Sequence, residues 1–376
     1  MQNNYTLLRI WGIPIRINIS LIVFLPILAW LIGSGAQIAA YAQIINGLTP
    51  ATVDPAVLAE QDRWLIGIVA AVGLFASVTF HELGHSWVAM RYGIGVNSIT
   101  LWLLGGLADL SEMPKEWTRE FWIAVAGPAS SILLGVICLG ALLVVPESAT
   151  LLVFMLGFLA VMNIFLAIFN MLPAFPMDGG RVLRALLARN RSYVSATRTA
   201  ASIGTVFAIL FAILGVLAFS PILFLLALFI YVAASSESRA VVIGELLEGI
   251  TVEELLGSYD PVPANATVAT LFDRLLGARR TDIAVVDDTG TVVGVVTAST
   301  LRDVPLEQYE TTTVGDIAMT DLPRIEGSTS AFDGLYELMG ARSDVAIVER
   351  DGEPIGVISR SDFTTMLDLR RETVVF

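Results

Sequence analysis

A chain of 376 residues that is 55% apolar, 15% charged and of mean hydropathy +0.75 falls outside the range of soluble domains and predicts several membrane spans. Its net charge of −13 is unevenly spread: residues 1–240 hold 12 basic and 11 acidic side chains, whereas residues 241–376 hold 10 and 24. No basic patch suggests nucleic acid, and the lone Cys138, in an apolar run, excludes both a disulfide framework and a thiolate metal site.

Residues 1–16 set Arg9 and Arg16 among Leu7, Leu8, Ile10, Ile13 and Ile15, the pattern of a short strand or of an interfacial segment ahead of the membrane. The apolar run 17–33 reads as a retained first span, because no small-residue cleavage site follows it. Residues 34–62 turn polar and acidic without a single Lys or Arg, which predicts an extracytoplasmic loop. The second span, 64–90, ends at Arg91.

Both histidines of the chain lie in that second span, as His81-Glu-Leu-Gly-His85. At about 100° per residue the two imidazoles stand roughly 40° apart on one helical face, so they can share one divalent cation while Glu82 stays near its water. This is the H-E-x-x-H arrangement of a zinc hydrolase. Residues 65–80 carry no charge, which places Glu82 at membrane depth, where a charge costs about 2.5–3.5 kcal/mol and is not expected to persist without a role. His81 is ten residues from Arg91, roughly 15 Å of helix, or half of an approximately 30 Å hydrocarbon core.

Residues 92–113 are too rich in Gly and Thr for a span and read as a strand pair or re-entrant element interrupted at Gly105-Gly106. The backbone of 98–107 is expected to offer free groups to an extended substrate, with Gly105 and Gly106 as substrate contacts; the plainer reading of the glycines is a tight turn. Lys115 and Arg119 precede a third span, 121–145. A fourth, 151–172, carries Asn163 and Asn170 and breaks at 173–180. Arg181, Arg184, Arg189, Arg191 and Arg198 then mark a cytoplasmic segment. Two last runs, 199–219 and 221–234, bring the total to about six spans with both ends cytoplasmic; the last is short for a span. A catalytic zinc needs a third protein ligand, and Asp178 is the one further acidic side chain expected near the cytoplasmic half of the spans. An Asp ahead of Gly179-Gly180 can equally be a helix N-cap.

The acidic tail is an internal repeat, with Asp282 and Asp344, and Gly294 and Gly356, each spaced by 62. Each copy reads helix, strand, turn, strand, helix, and the two copies are expected to bury one face against each other. The whole predicts a polytopic all-α membrane domain with a small membrane-associated β element, followed by a tandem α/β pair, with domains at 1–240, 241–308 and 309–376.

His81-Glu-Leu-Gly-His85, Gly105-Gly106, Ala126-Gly-Pro128 and Phe169-Asn-Met-Leu-Pro-Ala-Phe-Pro-Met-Asp-Gly-Gly180 together resemble the intramembrane zinc metalloproteases called site-2 proteases, in the prokaryotic branch with appended CBS (cystathionine-β-synthase) domains. The resemblance covers nearly the whole chain. It implies one zinc per chain bound by His81, His85 and Asp178, Glu82 as general base, and Asn170 stabilising the oxyanion or placing the substrate. It further implies regulated intramembrane proteolysis of membrane proteins with helix-breaking spans, in a multi-pass protein of the cell membrane with cytoplasmic CBS domains. Ala129-Ser-Ser131 departs from the asparagine that many members carry there, and no catalytic role is assigned to it.

In the tail, Gly356-Val-Ile-Ser359-Arg-Ser-Asp362 keeps the family's ribose-binding pattern, which implies Ser359 and Asp362 in an adenine-nucleotide site; the first copy has Thr300 where Asp is expected. The plainer reading of the pair is a dimerisation or docking module. The alternative for the whole chain is a CBS-regulated membrane cation transporter, which would have no need for Glu82 beside its two ligands.

Overall fold

The structure, a computed structural model, describes residues 4–49, 52–54, 56, 58, 63–103, 105–256, 261–277, 282–341 and 343–373. Parts of the expected outer loop (50, 51, 55, 57, 59–62), residue 104 and residue 281 therefore lie outside the described residues. The chain falls into two compact units, Met1–Ser238 and Arg239–Phe376.

The first unit begins with a hairpin, β1 (Asn4–Ile10) and β2 (Ile13–Asn18). It joins β3 (Val96–Trp102) and β4 (Gly105–Leu110) in one sheet of order β1-β2-β3-β4. β2 and β3 run parallel, with Ile15 opposite Ile99, while β3 and β4 form an antiparallel pair. The N-terminal alternation is thus a strand signal: Ile13 and Ile15 join Ile99 and Leu101 in a core shared with Phe75 and Leu83 of the histidine-bearing helix. Burial against that helix fixes the register, since a one-residue slip would turn every isoleucine outward.

Helix α1 (Ile19–Ile32) is bent by 72° from α2 (Gly35–Leu48). Here the structure corrects the expectation of a loop from residue 34. The stretch 35–48 holds no charge, and Ile38, Ala42 and Ile45 recur at helical spacing to pack on Phe154 and Phe158. Helices α3 (Arg63–Arg91), α4 (Trp117–Leu142), α5 (Thr150–Asn170), α7 (Tyr193–Leu217) and α8 (Pro221–Leu246) are each long and apolar enough to cross a membrane, and the bent pair makes six if it counts as one span. The last run is not short: α8 continues to Leu246, because no Gly or Pro interrupts 222–243 and polar residues do not end a helix by themselves.

A second correction concerns acidic groups. Asp178 is not alone, since Glu120 lies inside α4 and is 1% exposed. It meets Arg184 of the short helix α6 (Asp178–Ala188), which is fully buried. Arg184 Nε donates to Glu120 Oε1 at 2.7 Å and its other arm reaches Glu237 Oε1 of α8 at 2.5 Å. The rings of Phe175 and Tyr193 lie 5.0 and 4.9 Å from the guanidinium carbon. One arginine thereby ties α4, α6, α7 and α8 together.

In the second unit, β5 (Val262–Pro263), β6 (Ile283–Val286) and β7 (Val292–Val296) form one sheet and β8 (Arg324–Glu326), β9 (Val345–Arg350) and β10 (Glu353–Ser359) the other. α9 (Val268–Gly277) precedes the first strand pair and α10 (Ala298–Arg302) follows it; α11 (Val314–Ile317) leads into the second copy, with α12 (Ala331–Gly340) and α13 (Arg360–Thr373). Ala284, Val286, Val292 and Val295 of the first copy share a core with Val345, Ile347 and Val357 of the second. Each sheet lends one apolar face to the other, as neither copy could bury it alone.

Removing one partner of a buried ion pair leaves an uncompensated charge and costs about 3–5 kcal/mol. Arg184→Met is therefore expected to lower the thermal denaturation midpoint of the purified chain well beyond Arg189→Met, an exposed neighbour, with Glu120→Gln intermediate; equal midpoints would show that the clamp contributes nothing.

Candidate metal centre

α3 carries His81 and His85 on its buried face, at 4% and 5% exposure. Their Nε2 atoms are 3.2 Å apart, and Asp178 Oδ2, from the first residue of α6, is 3.1 Å from His81 Nε2 and 3.2 Å from His85 Nε2. All three side chains are buried, and among the described residues theirs is the one group of three possible ligand atoms within 4.8 Å of one another. Asp178 does not act as an N-cap: the cap position is Met177, and the carboxylate faces the imidazoles.

The other ring nitrogens decide which tautomer is present. His85 Nδ1 is 2.6 Å from the carbonyl of Ile123, which can only accept, so Nδ1 carries a proton and, in the neutral ring, the lone pair is on Nε2. His81 Nδ1 pairs with Ser131 Oγ at 2.8 Å, which leaves its Nε2 aimed at the same point. These are the outer partners that orient metal-bound histidines. The spacing also fits: bonds of about 2.0–2.1 Å in a tetrahedron separate ligands by roughly 3.3 Å, close to the 3.1–3.2 Å edges found here. The donor set and geometry suit zinc.

Gly127 of α4 forms the floor. A Cβ built there would overlap His85 Nε2 and stand 2.7 Å from His81 Nε2, so only glycine lets α4 pass this close. Ala126-Gly-Pro128 is thus a close-packing element whose neighbours are the imidazoles themselves. Ser131, one helical turn further on, shares that face; this i, i+4 spacing from Gly127 was the available signal for it.

A cavity of about 320 Å³ opens beside the cluster, lined among others by Glu82, Asn170, Gly105, Gly106 and Arg181. Gly106 approaches Glu82 so closely that a Cβ would lie 2.5 Å from Glu82 Cγ. Gly105 and Gly106 open β4, opposite Trp102 and Leu101, and Gly105 has φ +138°, a conformation that disfavours any side chain. Asn170, the last residue of α5, donates to Leu166 O at 3.0 Å. Asn163 is not in this cavity: it is fully buried and donates to Ser77 Oγ at 2.9 Å, an interhelical bond.

Ser359 N and Oγ donate to Asp362 Oδ2 at 2.9 and 3.0 Å, closing the start of α13, and both residues line a small surface cavity with Asp282. In the first copy Thr297 and Thr300 form the equivalent reciprocal cap, so Thr300 replaces the helix-starting duty of the missing Asp.

The model of peptidase family M50 matches residues 69–151 and 145–213, and that of the CBS domain matches 258–307 and 314–368. Zinc metalloprotease MJ0392 of Methanocaldococcus jannaschii is 30% identical over 380 residues, covering 99% of each chain. Among solved structures, a site-2 protease from Methanocaldococcus jannaschii is 34% identical over 63% of this chain and 95% of its own, with a TM-score of 0.43. The CBS domain of a bacterial CNNM/CorC family Mg2+ transporter in complex with ATP is 22% identical over 35% of this chain and 97% of its own, with a TM-score of 0.31. The full-length match to a peptidase leaves the transporter alternative without support. The chain belongs to peptidase family M50, the site-2 protease family, as a multi-pass zinc metalloprotease with a CBS-domain pair.

Proposed function

We propose that the chain is an intramembrane zinc endopeptidase that hydrolyses peptide bonds in or near membrane-spanning segments of other proteins, with one zinc per chain held by His81, His85 and Asp178. The observation that carries this reading is the buried convergence of three ligand atoms beside a cavity that also contains a carboxylate, Glu82. When bound, zinc supplies Lewis acidity that polarises a peptide carbonyl and acidifies water. Glu82 takes the proton of the attacking water and returns it to the leaving amine. One N–H of Asn170 is used on Leu166 O, and the amide's second N–H serves the developing oxyanion.

A helical substrate shields its carbonyls with its own hydrogen bonds and must first unwind. Strand addition would hold it open, and the pairing scheme narrows where. β3 is bonded on both sides, by β2 and β4, so the expectation that 98–107 offers free groups is corrected for its β3 part, 98–102; the unpaired edge belongs to β4, which lines the cavity through Gly105, Gly106 and Leu107.

The basic residues after α5 support a cytoplasmic position for α6 and for the acidic tail. The intact pattern at Ser359 and Asp362 supports adenine-nucleotide binding there as the regulatory input, and homodimers formed through the CBS pair belong to the same reading.

Purified Glu82→Gln protein is expected to lose cleavage of a reconstituted single-span reporter while retaining its zinc, whereas Gly127→Ala loses both; zinc loss in Glu82→Gln would remove the base assignment. Proline at alternate positions of β4 deletes outward N–H groups and is expected to cut cleavage about tenfold or more with zinc content unchanged; undiminished cleavage at every position would discard strand addition. Equilibrium titration of the full chain with ATP, ADP, AMP and S-adenosylmethionine is expected to show binding that Asp362→Asn weakens, and no binding by any of the four counts against nucleotide sensing.

A further inference from the structure

Helix α6 presents two arginines one turn apart with opposite circumstances. Arg184 is enclosed and holds Glu120 and Glu237. Arg181 instead lines the cavity that contains Glu82 and Asn170. Its Nε is buried with no hydrogen-bond partner, and it makes no ion pair with any described residue. The carboxylates of α4, α6 and α8 near it are engaged elsewhere, Glu120 and Glu237 by Arg184 and Asp178 by the two imidazoles, and Glu82 of α3, which lines the same cavity, forms no ion pair with it. A guanidinium stays charged at any accessible pH, and although Arg181 is only half-buried, its Nε is shut off from solvent without an acceptor beside a cavity walled in part by Val78, Leu166, Phe169 and Phe229, which is costly. The missing anion is therefore expected to arrive with what fills the cavity.

We propose that Arg181 forms a carboxylate-binding subsite for the peptide substrate. The inference rests on the peptidase reading of the same cavity. Hydrolysis adds the oxygen of water to the carbonyl carbon, breaks the C–N bond, and leaves an amine on one fragment and a new carboxylate on the other. A carboxylate can thus reach Arg181 from two sources, the newly formed C-terminus or an acidic side chain flanking the cleaved bond. Both match the planar fork of a guanidinium, which takes two carboxylate oxygens at once. Arg181 is a specificity residue in this scheme; Glu82 and Asn170 do the chemistry.

The test is a binding cycle on the full-length, zinc-loaded chain in the Glu82→Gln background, where peptides are not turned over. The probes are three N-acetylated leucine tetrapeptides: one with a free C-terminal acid, one amidated, and one amidated with an internal Asp. Arg181→Gln is expected to weaken a carboxylate-bearing peptide about tenfold relative to the plain amide, the size of one charge-assisted hydrogen bond, with zinc content unchanged. Loss confined to the free acid identifies the new C-terminus as the ligand, and loss confined to the Asp peptide identifies a substrate side chain. Arg181→Lys keeps the charge without the fork and is expected to fall between, which provides a reading if the glutamine variant does not fold.

Equal weakening of acid and amide, no weakening of either, loss of zinc from both variants, or no binding of any peptide with Arg181 present overturns the proposal. Cleavage of the single-span reporter by the chain with Glu82 intact is scored separately. Absent cleavage with the acid-to-amide ratio preserved counts against the proposed function and not against the subsite.

Discussion

The convergence of two imidazole nitrogens and one carboxylate oxygen within a buried space constrains everything around it. Three polar side chains at such depth are stable together only if each has its remaining hydrogen-bonding capacity met and if the backbone comes close enough to exclude lipid. Ile123 and Ser131 meet the first condition by occupying the two Nδ1 atoms. Gly127 meets the second by having no side chain where α4 crosses the ring edges. All three lie on α4, so one helix both shapes the floor of the site and orients histidines that belong to another helix.

The third side chain of the cluster poses a harder mechanical problem, because Asp178 begins a short helix that follows a break in the chain. A carboxylate on such a segment would wander without a second anchor. Arg184, six residues later, supplies one through Glu120 and Glu237, with aromatic rings over the guanidinium. Helix α6 is thus fixed at both ends by charge, at its start by the histidines and further on by two glutamates. The same engagement of acidic groups leaves Arg181, between them, facing the cavity alone.

The sheet solves a different problem. Non-helical backbone is tolerated near a membrane only where protein or water satisfies it. β3 is satisfied by β2 on one side and β4 on the other, and the chain's N-terminal hairpin is recruited for this purpose from 84 residues away. What remains unpaired among the described strands of this sheet, apart from the N-terminal edge, is the outer side of β4, a strand whose Gly105 and Gly106 line the same cavity as Glu82. In the second unit the same economy applies between copies, where two three-stranded sheets share one apolar core.

Much of this was legible in the amino-acid order, because its determinants are local or periodic. The histidine pair sits on one face by helical geometry, the apolar runs mark the spans, and a 62-residue recurrence marks the paired copies. Reading by average composition failed where a short amphipathic stripe was diluted by neighbours, as at Ile38, Ala42 and Ile45, and where a polar patch within α8 resembled an end. Other features depend on partners distant in the chain: Asp178 against a histidine 97 residues earlier, Ser131 against one 50 residues earlier, and Arg184 against a glutamate 64 residues away. No spacing rule connects such pairs, since only helix packing brings them into contact. Sequence alone determined which chemical groups this chain owns and which helical face carries them. Tertiary structure decided which carboxylates are engaged, which ring nitrogen is free, and which arginine faces the cavity without a partner, because charge pairing and close approach are properties of space and not of order along the chain.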